Sequence, residues 1–239
     1  MWSICKKELS QFFGSLTGYV AILLFLLLNG LFLFVFPESN IFDFGYATLD
    51  KFFEISPWVL LLLIPAVTMR SFADEFRAGT YEILLTRPLS HWQIITGKYL
   101  SSLIIVVIAI VPTMLYVFSV DRLSAAGIDA GGIAGSYIGL FFLAAVFASI
   151  GIFCSSLSGN SVVAFLLGAA VCFTIYSAFS ALASLPVMAG WPGYFVDMIG
   201  IDSHYRSMSR GVIDTRDILY FGSTIFFFLY LTAHTLVKR

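Results

Sequence analysis

The residues of this chain best suited to chemistry crowd into one stretch, RSFADEFRAGTYEILLTRPLSHWQIITGKYL, residues 70–100. It carries Asp74, Glu75 and Glu82, the bases Arg70, Arg77, Arg87 and Lys98, and His91. What they lack is the spacing of a reaction centre. Gly97-Lys98 is followed by Tyr99 and has no glycine-rich loop before it, so nothing here cradles a nucleotide phosphate. Neither H-E-x-x-H nor G-x-S-x-G occurs, and no apolar run holds the paired carboxylates of a proton relay. Cys5, Cys154 and Cys172 are odd in number and scattered, the pattern of small apolar packers rather than of metal ligands or disulfides. The chemistry left to the segment is recognition, with charge and apolar side chains offered together. The sequence therefore predicts no catalytic residue, no metal site and no cofactor bound by this chain.

The elements that position this segment are apolar. Of 239 residues 59% are hydrophobic and only 11% charged, against roughly 25% charged in a soluble domain. The net charge of −1 offers no basic field for nucleic acid. A helix needs about 20 apolar residues to cross the hydrocarbon core, and six runs qualify: Gly18–Phe36, Phe53–Met69, Tyr99–Val120, Ile133–Cys154, Ser161–Leu185 and Ile218–Val237. Lys6 and Lys7 precede the first, but that run is too long for a secretory signal and no small-x-small cleavage site follows, so it is expected to stay as a span. Ser155–Ser161 is expected to be a tight turn between spans four and five. The chain is thus predicted to be one transmembrane domain over residues 1–239.

Charge sets the expected orientation. Six spans put both termini on one side, with eight bases (Lys6, Lys7, Arg70, Arg77, Arg87, Lys98, Lys238, Arg239) against four acids; the other side holds five bases against ten acids, so the balance is +4 against −5. The positive side is expected to be cytoplasmic. Residues 70–98 then form a cytoplasmic loop and residues 186–217 the longest extracytoplasmic one.

Residues 1–14 place Trp2, Cys5, Leu9, Phe12 and Phe13 near one helical face and Lys6, Lys7, Ser10 and Gln11 on the other, an interfacial helix with its lysines toward anionic headgroups. In the cytoplasmic loop a short helix is expected at Thr80–Leu85, with Thr80 as its cap and Glu82 in its first turn. Pro88 disfavours helix at Arg87, and Ser90 with Gln93 forms a capping box that starts the helix into span three. By itself this piece reads equally as a docking knob or as a segment folded back on its own bundle. In the outer loop, WPGYFVDMIGI (Trp191, Tyr194, Phe195) reads as a re-entrant hairpin or as an interfacial aromatic belt. Arg206, Arg210 and Asp214 read as a charged extracytoplasmic rim, solvated or bound to acidic lipid or a partner domain. Asn29 is expected to bond between helices, Pro65 and Pro112 to kink spans two and three, and the glycines at 131, 135 and 139, like Gly14 and Gly18, mark close helix contact suited to a dimer seam.

Glu75, Gly79, Thr80, Glu82, Leu84, Leu85, Pro88, Gly97 and Lys98 follow the pattern E-x-x-x-GT-x-E-x-LL-x-x-P-x-x-x-x-x-x-x-x-GK, and in this the chain resembles ABC-2-type transporter permeases. In that family the segment carries the coupling helix, seated in a cleft of the ATP-hydrolysing subunit. The resemblance implies an all-α integral membrane fold of the type V ABC exporter kind, with six transmembrane helices, an N-terminal amphipathic elbow helix (Trp2, Lys6, Lys7 and Phe12) and both termini cytoplasmic. It implies docking through Glu75, Gly79, Thr80, Glu82, Leu84, Leu85 and Pro88. The implied partners are an ABC-type ATPase that uses ATP and Mg, a second copy or a second permease or extracytoplasmic subunit, and the lipid of a bacterial inner membrane. The ending HYRSMSRGVIDTRDILYFGSTIFFFLYLTAHTL is similar to the gliding-motility-associated permease subunit of Bacteroidetes-type bacteria. Two functions follow from these resemblances: a permease powered by the partner ATPase, or a non-transporting scaffold that passes its shape change to an extracytoplasmic partner.

Overall fold

The apolar runs fold as helices one after another. In the computed structural model α1 (Trp2–Phe13) is followed by α2 (Leu16–Phe34), α3 (Asp50–Thr68), α4 (Arg70–Arg77), α5 (Thr80–Leu85), α6 (His91–Ile110), α7 (Met114–Leu123), α8 (Ala130–Leu157), α9 (Ser161–Phe173), α10 (Phe179–Ala183), α11 (Trp191–Ile199), α12 (Ile201–Ser209) and α13 (Thr215–Val237). Short 3-10 turns lie at Val111–Thr113 and Pro186–Met188, and a π segment at Thr174–Ala178. The structure describes residues 1–36, 48–86, 89–124, 127–188 and 190–238, with no strand among them, and of Leu85 only its place in α5. Pro88, Arg87 and Arg239 lie outside the described residues.

Among the described residues six stretches are long and apolar enough to cross a membrane: Leu16–Phe34, Asp50–Arg77, His91–Leu123, Ala130–Leu157, Ser161–Ala183 and Thr215–Val237. The number matches the sequence expectation; the ends differ. Helix α3 begins three residues before Phe53, and α8 runs on to Leu157, so the turn to α9 shrinks to residues 158–160. Polar side chains set several starts. Asp129 accepts from the N–H groups of Gly131 and Gly132 at α8, Asn160 from Val162 at α9, and Ser90 and Gln93 close the expected capping box on α6. Pro112 sits in the 3-10 turn that interrupts the third span. Pro65 is accommodated within α3, which continues through it.

Helix α8 is the axis of the bundle, with α13, α3, α9, α12, α6 and α4 packed round it. Its small residues allow this. A Cβ on Gly135 would come 2.7 Å from the Gly211 Cα and 2.9 Å from the Met208 carbonyl oxygen, and one on Gly139 3.0 Å from the Met208 Cβ. The stripe read as a dimer seam is therefore the contact between α8 and α12 of the same chain. Gly18 likewise serves the α1–α2 turn, where a Cβ would meet the Phe12 carbonyl oxygen at 2.4 Å. Between lipid-facing helices, close van der Waals contact and interhelical hydrogen bonds replace the hydrophobic drive. Ser56 donates to Asn29 Oδ1 at 2.8 Å, joining α2 to α3 as expected. Phe52, Phe53, Tyr116 and Tyr137 fill the interior with edge-on ring pairs. Ile4 of α1 and Leu229, Ala233 and Leu236 of α13 share one apolar cluster, so both ends of the described chain lie on one face.

Candidate functional site

Helix α1 lies across the start of α6, and two neighbouring residues of α6 hold it there. A Cβ on Gly97 would come 2.9 Å from the Met1 carbonyl oxygen and 3.0 Å from the Ile4 Cβ, so glycine lets the helices touch. Next to it, Lys98 is fully buried. Its Nζ donates to Glu8 Oε1 at 2.7 Å and to the Ser71 carbonyl, lies 3.0 Å from Glu75 Oε1, and sits 5.0 Å from the centre of the Phe72 ring. Lys7 reaches Glu75 Oε1 from the solvent side at 3.0 Å. Two bases and two acids thus balance at the meeting point of α1, α4 and α6. A buried charge survives only when paired and hydrogen-bonded, and here the partners come from three separate elements.

Helix α4 is where the structure departs most from the expected loop. Span two does not stop at Met69 but continues as helix through Arg77. The cause is Ser155 at the far end of α8. Its Oγ accepts from the backbone N–H groups of Phe72 and Ala73 at 3.0 and 3.2 Å and donates to the Met69 carbonyl at 2.9 Å. One hydroxyl from another span satisfies the groups a helix start leaves open. Ser155→Ala would strand two buried N–H groups, and we expect it to cost about 2 kcal/mol, read as a lowered midpoint of thermal unfolding in detergent.

Beyond α4, Gly79 turns the chain at φ 66° into α5. Thr80 does not cap that helix; it is its first residue, and its hydroxyl donates back to the Glu75 carbonyl at 3.4 Å. Of the predicted docking residues, Gly79, Thr80 and Glu82 are exposed and adjacent, whereas Leu84 is half-buried against the cluster of Phe72, Tyr81 and Ile94. Glu75 points inward to Lys98, with only about a tenth of its side chain exposed. Leu85's side chain and Pro88 lie outside what is described. Ile83, which the segment offers together with Leu84 and Leu85, is 64% exposed beside Glu82. Tyr81, buried beneath them, has its hydroxyl pushed above its ordinary range by burial and then by the Glu75 charge. Tyr81 and Glu75 anchor the segment to the bundle, while Arg77, Gly79, Thr80, Glu82 and Ile83 are exposed. In α1, Lys6, Lys7 and Trp2 face outward and Phe12 is half-buried, while Ile4 and Cys5 are the residues that pack.

On the opposite face, α11 packs against α10, and α12 follows it after a break at Gly200 and packs on α8. The predicted rim divides. Arg206 pairs with Asp202 one turn earlier. Asp214 caps α13, its carboxyl held below its ordinary range first by the Arg216 N–H. Arg210 is exposed at a cavity of about 770 Å³, together with Asp50, Glu54, Tyr176, Tyr205 and Arg206. Tyr205 donates to the Phe53 carbonyl at 2.6 Å, tying α12 to α3.

The described residues thus form an all-helical bundle with six helices long and apolar enough to cross a membrane and a buried charge cluster beneath a projecting helix. Residues 37–233 match the family described as ABC-2 family transporter protein, and the chain belongs to that family. It is a multi-pass protein of the bacterial inner membrane, a permease component of an ABC transporter whose partner is an ABC-type ATPase subunit. Comparison with curated proteins finds no match.

Proposed function

We propose that this chain converts ATP hydrolysis in a separate, docked ATPase into movement of its six spans, and that the face carrying α1, α4 and α5 is cytoplasmic. The observation that carries this is Lys98. The projecting turn at Gly79–Ile83 continues into α4, and α4 is fastened to α1 and α6 through Lys98 and to α8 through Ser155. A displacement of α5 is therefore shared by several spans at once, because each link is a buried polar bond rather than a sliding apolar contact. The docking surface is Arg77, Gly79, Thr80, Glu82 and Ile83; Glu75 contributes by holding α4 in place. The work done on the opposite face is either export or mechanical action on an extracytoplasmic partner, in a complex of the gliding-motility kind. The similarity of the Ser209–Asp217 stretch and the α13 sequence to that subunit supports the latter setting, and the chain's ABC-2 family supports the former.

The test is mild-detergent purification of the tagged protein from its host with identification of the chains that come with it. An ABC-type ATPase is expected. Glu82→Arg, which reverses an exposed charge without touching the core, should lower its recovery at least tenfold while leaving insertion and melting unchanged. Full recovery of the ATPase with Glu82→Arg would remove α5 as the docking element. In liposomes, ATPase activity raised by a small solute favours export, and activity raised only by a co-purified extracytoplasmic protein favours mechanical work.

A further inference from the structure

The cavity of about 770 Å³ on the face opposite the termini falls within the range of about 300–1,000 Å³ typical of small-molecule sites. Its walls come chiefly from α3, from the π segment with α10, and from α12. Ser177, Ser180 and Ser184 recur at helical spacing and give one wall a polar stripe. Hydrogen bonds already made set what these hydroxyls can offer. Ser177 donates to the Phe173 carbonyl, Ser184 to that of Ala181, and Ser209 of α12 to that of Arg206. Each of the three has committed its one proton, so each offers only lone pairs to the cavity.

Charged groups of both signs line the same space. Asp50 and Glu54, in the first two turns of α3, are exposed, and Asp202 of α12 is buried and paired with Arg206. Arg206 and Arg210, both exposed, bring N–H donors. A cationic ligand would suit the carboxylates but meet two guanidinium groups, and an anion would reverse the conflict. A zwitterion carries its charges at two points, whereas acceptors here are spread over all three walls. A hydroxyl group both donates and accepts without carrying charge, so a compound with several of them satisfies each wall. Aromatic rings supply much of the remaining lining, from Phe53, Trp58, Tyr176 and Tyr205. Trp58 is 45% exposed, and its ring meets Tyr176 edge to face at 5.2 Å, which holds it in place. The negative face of an aromatic ring attracts the C–H bonds on one side of a sugar ring.

We propose that this cavity binds a neutral polyhydroxyl compound, a sugar of one or two rings, with a ring against Trp58 and hydroxyls shared between the carboxylates and serines on one hand and Arg206 and Arg210 on the other. Asp50 and Trp58 carry the binding from α3; Asp202 acts through Arg206, whose guanidinium it positions. The site does not rest on whether this face performs export or mechanical work. Only the compartment from which the sugar enters rests on the orientation proposed above.

The experiment measures saturation transfer by NMR from the protein in lipid nanodiscs to glucose, N-acetylglucosamine and maltose. Glycoside detergents are kept out because their headgroups are sugars, and empty nanodiscs set the background. Transfer to at least one of these sugars is expected, strongest at the ring C–H protons. Trp58→Leu should weaken its affinity about tenfold by removing the stacking ring, and Asp50→Ala should weaken it by removing an acceptor. Both side chains are exposed, so either variant serves if the other does not assemble. Putrescine, acetate and glycine are measured alongside as a cation, an anion and a zwitterion. No transfer above background to any of the three sugars would overturn the proposal. So would an affinity unchanged in both variants, since the sugar would then sit elsewhere, or tighter binding of one of the three small ions than of every sugar.

Discussion

Lys98→Met is expected to detach α1 from the bundle at a cost of about 3–5 kcal/mol. The methionine keeps the apolar stem but removes the ammonium that lies 2.7 Å from Glu8 and 3.0 Å from Glu75. Two mostly buried carboxylates would then face each other with Lys7 alone to balance them. Glu75 Oε2, already buried without a hydrogen-bond partner among the described residues, shows how little slack the cluster has. The readout lies within the chain: Cys5 is fully buried under α1, so its reaction with a maleimide should be slow in the wild type and fast in Lys98→Met. Adding Glu8→Gln and Glu75→Gln should restore both the melting midpoint and the protection of Cys5, because the penalty comes from uncompensated charge rather than from lost volume. A protected Cys5 in Lys98→Met would mean that Gly97 and Ile4 hold the helix by packing alone.

Gly135→Val is expected to expel α12 from its seat on α8. The added Cβ meets the Gly211 Cα at 2.7 Å and the Met208 carbonyl oxygen at 2.9 Å, both backbone atoms with no rotamer to retreat to. Overpacking of this kind costs roughly 1–3 kcal/mol, and the bond from Ser136 Oγ to the Ser209 carbonyl, 2.8 Å long, would open with it. Limited trypsin digestion measures the result, since Arg206 and Arg210 lie on the displaced segment. The matched control is Gly222→Val on α13, where a Cβ meets nothing within 4 Å. Faster cleavage in Gly135→Val alone supports the seam within one chain. Equal cleavage in the two variants, with loss of self-association only in Gly135→Val, would return the glycine stripe to a dimer interface.

Features carried by adjacent residues were legible from the sequence. The six spans follow from runs of apolar side chains long enough to cross a bilayer. The capping box at Ser90 and Gln93 and the short helix at Thr80–Leu85 follow from bonds made within a turn or two. The projecting Gly79, Thr80 and Glu82 were found because an exposed charged turn between two apolar spans stands out in composition. Asn29 was read correctly as a link between helices because a lone amide in a span has few other uses.

What escaped that reading depends on residues far apart in the chain. Helix α4 looks like loop until Ser155, 83 residues on from Phe72, supplies its missing bonds. Glu75 looks like a docking residue until Lys98 turns it inward, and Lys98 looks like an interfacial base until Glu8, 90 residues earlier, encloses it. His204 carries no local signal, because Met198 and Asp217 meet its two ring nitrogens only in the folded chain. The sequence by itself determined that this chain is a bundle of six membrane helices with one exposed polar projection, since length and hydropathy are local properties. Only the tertiary structure decided which charges are buried and with whom, because the cost of burying a charge is offset by partners that no local pattern specifies.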